Sequence, residues 1–485
     1  MNKPIRTMSL FCMLLLLLLL GNVTYLQYIK AEDYNDNPLN ARVKVETLSR
    51  ERGSILVNGR KIAESIESDD RYKFQRVYLQ PFMYAPITGY FALVRSTLLE
   101  RSQNKLLNGD DNRLFVTRLV DLVNNASPKG GSIELTINAK AQKAAYDGLL
   151  ALGDDVQGGA VAIEPDTGKI LAMVSLPSYN PNKYADHDQT AVDAYDKALQ
   201  TRADKPRLSR ATQVTLPPGS TFKLVTAAAA MEAEGYRSDS LVPGGSSYRL
   251  PGTRLSINNG GRACGTDQIP LVQALEQSCN TTFLALANQV GQDKMLAQAE
   301  KFGFNSTLLD EFDDSEQAPS AYPTEEISDD FLAKTGMGQQ DVRATPLQMA
   351  MVVAGIFNDG IVMKPYLVDK VRSADLDLLE STDPAEYSRA VSSDTASELR
   401  KMMVSVVDRG TGSVGAIPGV EVGAKTGTAE NCAGCQNYSW FVSFASSGGK
   451  DVAVAVMVQK SDADYVSGSG QAGPIARAIM EAVVK

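Results

Sequence analysis

Alternation and periodicity change several times along the chain. A run of apolar residues from Leu10 to Leu20 ends in seven consecutive leucines, and weaker apolar character continues to about Ile29. With that tail the segment reaches roughly 20 residues, long enough to span a bilayer as a helix. Residues 31 to about 130 then alternate charges with short apolar pieces. Among these, Ser54-Ile55-Leu56-Val57 ends at Asn58-Gly59, a hairpin signal because both turn positions need positive φ. A small mixed domain over 30–130 is expected, with Pro128-Lys129-Gly130-Gly131 as its boundary.

Beyond that boundary the pattern predicts a strand over Ser132–Asn138 and a helix over Lys140–Leu152. Ala160–Ile163 and Lys169–Val174 flank Glu164-Pro165-Asp166-Thr167-Gly168 and read as a β-hairpin. Helical spacing dominates from 220 to about 300. Thr345-Pro346-Leu347-Gln348 opens a further helix, with Pro at the first helical position and Gln placed for a capping box. Glu398–Val407 is helical. Strands return over Val420–Thr428, Tyr438–Ala445 and Val452–Val458, with Gly448-Gly449-Lys450-Asp451 turning the last pair, and a helix over Pro474–Val484 closes the chain. Helices gathered between strands at both ends predict an α+β domain whose antiparallel sheet is assembled from distant segments.

Charge and composition refine this picture. Lys3 and Arg6 precede the apolar run and only Lys30 follows it closely, which puts the N-terminus in the cytoplasm. A cleavable signal peptide is the competing reading, but no clear small-x-small site follows the run and Tyr25 and Tyr28 suit interfacial anchors. The expectation is a cytoplasmic tail over 1–8, a single-pass signal anchor over 9–29 and everything later outside, at the cytoplasmic membrane. The net charge of -9 over 485 residues disfavours nucleic acid as a partner. Of five cysteines, Cys12 lies in the apolar run. Cys264/Cys279 and Cys432/Cys435 are candidate disulfides in an exported domain, and zinc ligation would need both distant pairs to converge.

The chemistry starts at Pro217-Pro218-Gly219-Ser220-Thr221-Phe222-Lys223. A turn runs into a helix, and one helical turn separates Ser220 from Lys223, so both side chains share a face. An amine beside a hydroxyl can take its proton and activate it. His187 is the one histidine of the chain, which disfavours a Ser-His arrangement. Ser-x-x-Lys also occurs at Ser102/Lys105 and Ser447/Lys450, three copies in all where chance would give ~2. The bland reading of Ser220 is a helix cap with a solvated lysine. Context favours Ser220/Lys223, because a helix N-terminus offers free N–H groups to a developing oxyanion. Ser278-Cys279-Asn280 lies between helical segments, where a second hydroxyl can relay a proton and an amide can bind a substrate. Lys425-Thr426-Gly427-Thr428 follows an apparent strand, and Gly427 would let a substrate approach the backbone closely. A rival Lys334-Thr335-Gly336 runs into a loop.

Ser-x-x-Lys, Ser-x-Asn and Lys-Thr-Gly in this order resemble the motif set of penicillin-binding proteins and serine β-lactamases. Arg52-Gly53-Ser54-Ile55, Tyr179-Asn180-Pro181-Asn182, Gly338-Gln339, Ala344–Ala350 and Arg409-Gly410-Thr411-Gly412 resemble class B elements, closest to the short monofunctional type often called penicillin-binding protein A. The resemblance runs from the anchor to the C-terminus and implies a transpeptidase domain over 131–485 with a helical subdomain. It implies that Ser220 is acylated by a stem peptide and that Lys223 is the general base. Ser278 would relay a proton, Asn280 would bind substrate backbone, and Lys425 with Thr426 or Thr428 would take the terminal carboxylate. The backbone N–H groups of Ser220 and Thr428 would form the oxyanion hole. β-Lactams would acylate the same serine, with no metal or organic cofactor. Roughly 100 residues before the transpeptidase domain leave no room for a glycosyltransferase module, so such an enzyme is expected among its partners in wall synthesis and division. A D,D-carboxypeptidase on the same fold is the nearest alternative, and a β-lactam sensor or division scaffold is the alternative of another class. A β-lactamase is disfavoured, since no Glu-x-x-Leu-Asn element follows Ser278. Cys279 departs from the Asp found at the middle of the second motif in many β-lactamases.

Overall fold

A computed structural model describes residues 3–30, 34, 48–93, 95–115, 129–431, 435–462 and 466–485. The N-terminal apolar run forms helix Lys3–Thr24, which widens into a π-helical turn over Tyr25–Ile29. It is long and apolar enough to cross a membrane, and none of it is buried in the protein.

Two sheets organise the rest. The five-stranded sheet runs Glu421–Ala429, Tyr438–Ser447, Lys450–Lys460, Gln157–Ile163, Ile170–Leu176, antiparallel throughout. Its strands read as near-continuous apolar runs because both faces are covered. Alternation sends Trp440, Val442, Phe444, Ala453, Ala455 and Met457 to one core. Phe441, Val452, Val454, Val456 and Val458 go to the other, with helices Ala139–Leu150 and Gly473–Val484. Helix Pro346–Phe357, apolar but for Gln348, is buried on the first face. The hairpin glycines Gly448 and Gly449 both take positive φ, 60° and 77°, as the tight turn demands.

The six-stranded sheet runs Leu378–Ser381, Val368–Arg372, Ser132–Leu135, Ile55–Val57, Arg60–Glu67, Phe74–Tyr78. Asn58 and Gly59 turn the first hairpin with φ of 49° and 72°, as their pairing in the sequence demands. Three of these strands precede residue 131 and three follow it. Ile55–Val57 pairs in parallel with Ser132–Leu135, Ile55 opposite Ile133. The seam is tight: a Cβ on Gly53 would lie 1.7 Å from the Gly131 carbonyl oxygen. Asn182 clamps the far edge, accepting from Tyr78 N at 2.8 Å and donating to Tyr78 O at 2.9 Å. That side chain supplies the donor and acceptor that a neighbouring strand would have supplied.

Arg52 anchors the seam from below. It donates to Glu100 at 2.7 Å and to Asn104 at 2.8 Å, and Arg76 takes the other Glu100 oxygen at 2.7 Å. Glu100 is fully buried. Burial alone would raise its pKa, but the two guanidinium groups hold it below the ordinary carboxylate value.

Several elements differ from the sequence reading. Four short strands, Leu241–Pro243, Ser247–Arg249, Ser256–Asn258 and Gln268–Pro270, interrupt the region read as helical over 220–300. They pair locally within the Gly- and Ser-rich stretch, too short to register as periodicity. The strand read over Ser132–Asn138 ends at Leu135, and Asn138 caps helix Ala139–Leu150. The capping box at Thr345 is half made. Thr345 Oγ1 accepts from Gln348 N at 3.2 Å, but the Gln348 amide donates to Phe302 O at 2.7 Å instead of reaching back. A buried carbonyl needs that donor more than the Thr345 N–H, which Ser320 Oγ already satisfies at 3.1 Å.

Candidate active site

Gly219 has φ of 54°, turning the chain so that Ser220 sits in a 3-10 turn, Gly219–Thr221, at the head of helix Lys223–Glu234. The turn is braced on one side by the segment 336–338. Gly219 N donates to Gly338 O at 2.9 Å, and Thr226 Oγ1 donates to Gly336 O at 2.8 Å. Gly338 has φ of 72°, and a Cβ there would lie 2.2 Å from Gly219 O. The rival Lys334-Thr335-Gly336 therefore serves as a buttress. It ends helix Asp329–Thr335, and Thr335 Oγ1 turns inward to Leu332 O at 2.7 Å.

On the opposite side stands strand Glu421–Ala429, an edge strand of the five-stranded sheet. A Cβ on Gly427 would lie 2.9 Å from Pro218 O and 2.9 Å from Thr221 Cγ2. The space left by the missing side chain is filled by the serine turn. What approaches the backbone closely at Gly427 is the loop that carries Ser220.

Ser278 lies in the junction between helices Leu271–Glu276 and Asn280–Val290. Its φ is 55°, a left-handed conformation that costs a non-glycine residue on the order of 1–3 kcal/mol. That conformation accompanies a carbonyl and a hydroxyl that both meet the lysines. Lys223 Nζ donates to Ser278 O at 2.8 Å and to Asn280 Oδ1 at 2.8 Å, and lies 3.2 Å from Ser278 Oγ. Lys425 Nζ donates to Ser278 Oγ at 2.9 Å and to Thr426 O at 2.9 Å. The other Asn280 amide atom donates to Asn258 O at 3.0 Å. Among the described residues, Lys223 makes no hydrogen bond to Ser220; its bonds go across to the second motif. Adjacency in the sequence put Ser220 and Lys223 on one face, but Ser278 O and Asn280 Oδ1 are the acceptors that take the amine.

Both lysines are fully buried, and neither has a carboxylate partner among the described residues. Burial, then the charges of Lys425 and Arg262, hold Lys223 well below the ordinary lysine range. Burial, then Arg262, does the same to Lys425. Thr426 Oγ1 donates to Thr411 Oγ1 at 2.9 Å, and Thr428 Oγ1 accepts from Gly468 N at 3.5 Å.

Two features were not visible in the sequence. Arg262 Nη1 donates to Ser278 O at 3.1 Å; an arginine in a glycine-rich loop carries no pattern of its own. Thr411, within the Arg409–Gly412 element, reaches the third motif, and its N–H donates to Glu276 O at 3.3 Å. Cys264 and Cys279 form a disulfide, so the second motif is covalently tied to the Arg262 loop. The Cys432/Cys435 pairing falls outside the described residues, because Cys432 does. Ser447 and Lys450 face each other across an exposed hairpin turn, Ser102 ends a short helix of the small domain, and His187 pairs with Asp70, all apart from the three motifs.

The chain also matches known proteins over its length. Residues 158–481 match the penicillin binding protein transpeptidase domain, and residues 52–133 match the penicillin binding protein A dimerisation domain. The chain is 39% identical to the peptidoglycan D,D-transpeptidase PbpA of Mycolicibacterium smegmatis, covering 100% of this chain and 99% of that one. It is 38% identical to PbpA of Mycobacterium tuberculosis, again over 100% and 99%. Its structure superimposes on penicillin-binding protein A from M. tuberculosis, solved as a ceftriaxone acyl-enzyme complex. The TM-score is 0.84 at 38% identity, over 91% of this chain and 100% of that one. With the fold, the three converging motifs and matches over the whole length in agreement, this chain belongs to the penicillin-binding protein transpeptidase family.

Proposed function

We propose that this chain is a membrane-anchored peptidoglycan D,D-transpeptidase that cross-links stem peptides through an acyl-enzyme at Ser220. The observation that carries the reading is the pair of buried lysine amines meeting on Ser278 beside the Ser220 turn. A neutral amine has two N–H donors and one lone pair. With Lys223 neutral, its donors are spent on Ser278 O and Asn280 Oδ1, leaving the lone pair to accept a proton.

Ser220 Oγ attacks the penultimate D-Ala carbonyl carbon, and its proton passes to Lys223. The backbone N–H groups of Ser220 and Thr428 take the developing oxyanion. The peptide C–N bond then breaks, and the leaving D-Ala nitrogen gains a proton through Ser278. Lys425, with Thr426 or Thr428, receives the substrate's terminal carboxylate, and Asn280 binds its backbone. An amine from a second stem peptide attacks the ester, forms the cross-link and returns the proton to Ser220. A β-lactam enters the same first step and stays attached. The two PbpA relatives support this reading, as does the acyl-enzyme named for the M. tuberculosis structure.

In this reading residues 1–8 lie in the cytoplasm, 9–29 span the membrane, 30–130 stand next to it, and 131–485 work outside. Other wall-synthesis proteins, a glycosyltransferase among them, are the proposed partners. The test is labelling with a fluorescent penicillin. Wild type labels and Ser220→Ala does not; equal labelling of both would sink the assignment. A stem-peptide thioester supplied with an amine acceptor gives the cross-linked product, whereas hydrolysis alone at every acceptor concentration would make the enzyme a carboxypeptidase.

A further inference from the structure

Arg262 belongs to none of the three motifs, yet its loop is fastened to the second one at every side. Gly260 and Gly261, with φ of 60° and 79°, turn the chain toward it. The buried Asn259 side chain accepts from Thr281 N at 3.0 Å and donates to Gly245 O at 2.7 Å. Asn258 O accepts from Asn280 Nδ2. Two residues past Arg262, Cys264 is bonded to Cys279, which stands between Ser278 and Asn280. Arg262 itself donates to the same Ser278 carbonyl that accepts from Lys223.

We propose that Arg262 is a positioning residue for acylation: held by the Cys264–Cys279 bond, its guanidinium fixes the Ser278 carbonyl and keeps a permanent positive charge beside Lys223. The proposal rests on the reading of Ser220 as nucleophile and Lys223 as its base. A guanidinium does not give up its proton in this setting, whereas a lysine amine does. With cations crowded around one carbonyl, the proton leaves a lysine. Among the described residues, the charged and ring groups facing Lys223 are Lys425 from the edge strand, Arg262 from the stapled loop and the Phe283 ring from helix Asn280–Val290, 5.5 Å away. Glu276, the nearest carboxylate in the chain before Ser278, is turned to Ser405 and to Arg409, 3.0 Å away. Arg262 is exposed, so its charge acts through partly solvated space and is screened by salt.

The test is the pH dependence of the second-order rate of acylation by benzylpenicillin, measured on the full chain in detergent. Arg262→Ala moves the acidic limb upward by roughly half to one pH unit at low salt, and by less in high salt. Arg262→Lys restores the wild-type limb. Arg262→Gln keeps a donor for Ser278 O but no charge, and moves the limb as Ala does. The Cys264→Ala/Cys279→Ala double variant moves it the same way, because the loop is released. If Ala does not fold, judged by its melting temperature, Gln and Lys carry the same comparison. A limb that stays in place in the uncharged variants while Ser220 is still labelled overturns the proposal. Labelling that survives Ser220→Ala overturns the functional reading instead.

Discussion

At the residue scale the site is a place where stability is given up. Two buried amines with no carboxylate partner among the described residues and a left-handed Ser278 are each unfavourable in isolation. For Lys223 the folded-state pKa lies below the unfolded one. Between the two, the unfolded chain holds a proton that the folded chain lacks, so stability rises with pH through that window. Replacing Lys223 by Met therefore raises the melting temperature at neutral pH, while penicillin acylation falls by at least about 100-fold. An unchanged acylation rate would remove Lys223 from the proton transfer. The residue types at Ser220, Lys223, Ser278, Asn280 and Lys425 were legible from spacing and order. That Lys223 bonds to Ser278 and Asn280, and not to Ser220, was not, because acceptors 55 and 57 positions away in sequence decide it.

At the element scale, turns and helix ends set the geometry. Gly338 supports the Ser220 turn where no side chain fits. Gly338→Ala pushes Gly219 and Ser220 out of line, and acylation drops on the order of 100-fold, since displacements near 1 Å cost that much; near-normal labelling would show that the buttress yields. In the small domain, Glu100→Gln leaves two buried arginines short of a counter-charge and destabilises by about 3–5 kcal/mol, measurable by denaturant unfolding. The wild-type pair has a matching pH signature. Because the folded pKa of Glu100 is lowered, its contribution is present above the unfolded carboxylate value and is lost only as pH falls through the lower folded value. Strand Tyr438–Ser447 matched its sequence signal to within two residues, while the helix expected over Glu398–Val407 starts five residues earlier, at Ser393. The four short strands between 241 and 270 had no such signal, since three-residue strands carry too few alternations to stand out.

At the scale of the whole molecule, the six-stranded sheet joins residues on both sides of position 131. A chain starting at 131 would leave Ile133 and Leu135 of strand Ser132–Leu135 without the partners they have in Ile55–Val57. We expect that fragment to melt well below the chain starting at 30, and to lose its cooperative transition; an equal melting temperature would show that the seam contributes little. The chain starting at 30 should be soluble and still labelled by penicillin, whereas the full chain sediments with membranes until detergent is added. Recovery of the full chain in the soluble fraction would count against a spanning anchor. The sequence by itself determined the long apolar helix, the short apolar runs that form the main sheet and the three motifs, because each is local and depends on a few neighbouring residues. Only the tertiary structure decided that Lys334-Thr335-Gly336 buttresses the serine turn, that Gly427 admits that turn, that Cys264 meets Cys279 and that Arg262 reaches the Ser278 carbonyl. Those facts depend on segments far apart in the chain being packed together, and packing leaves no periodic trace in the residues it joins.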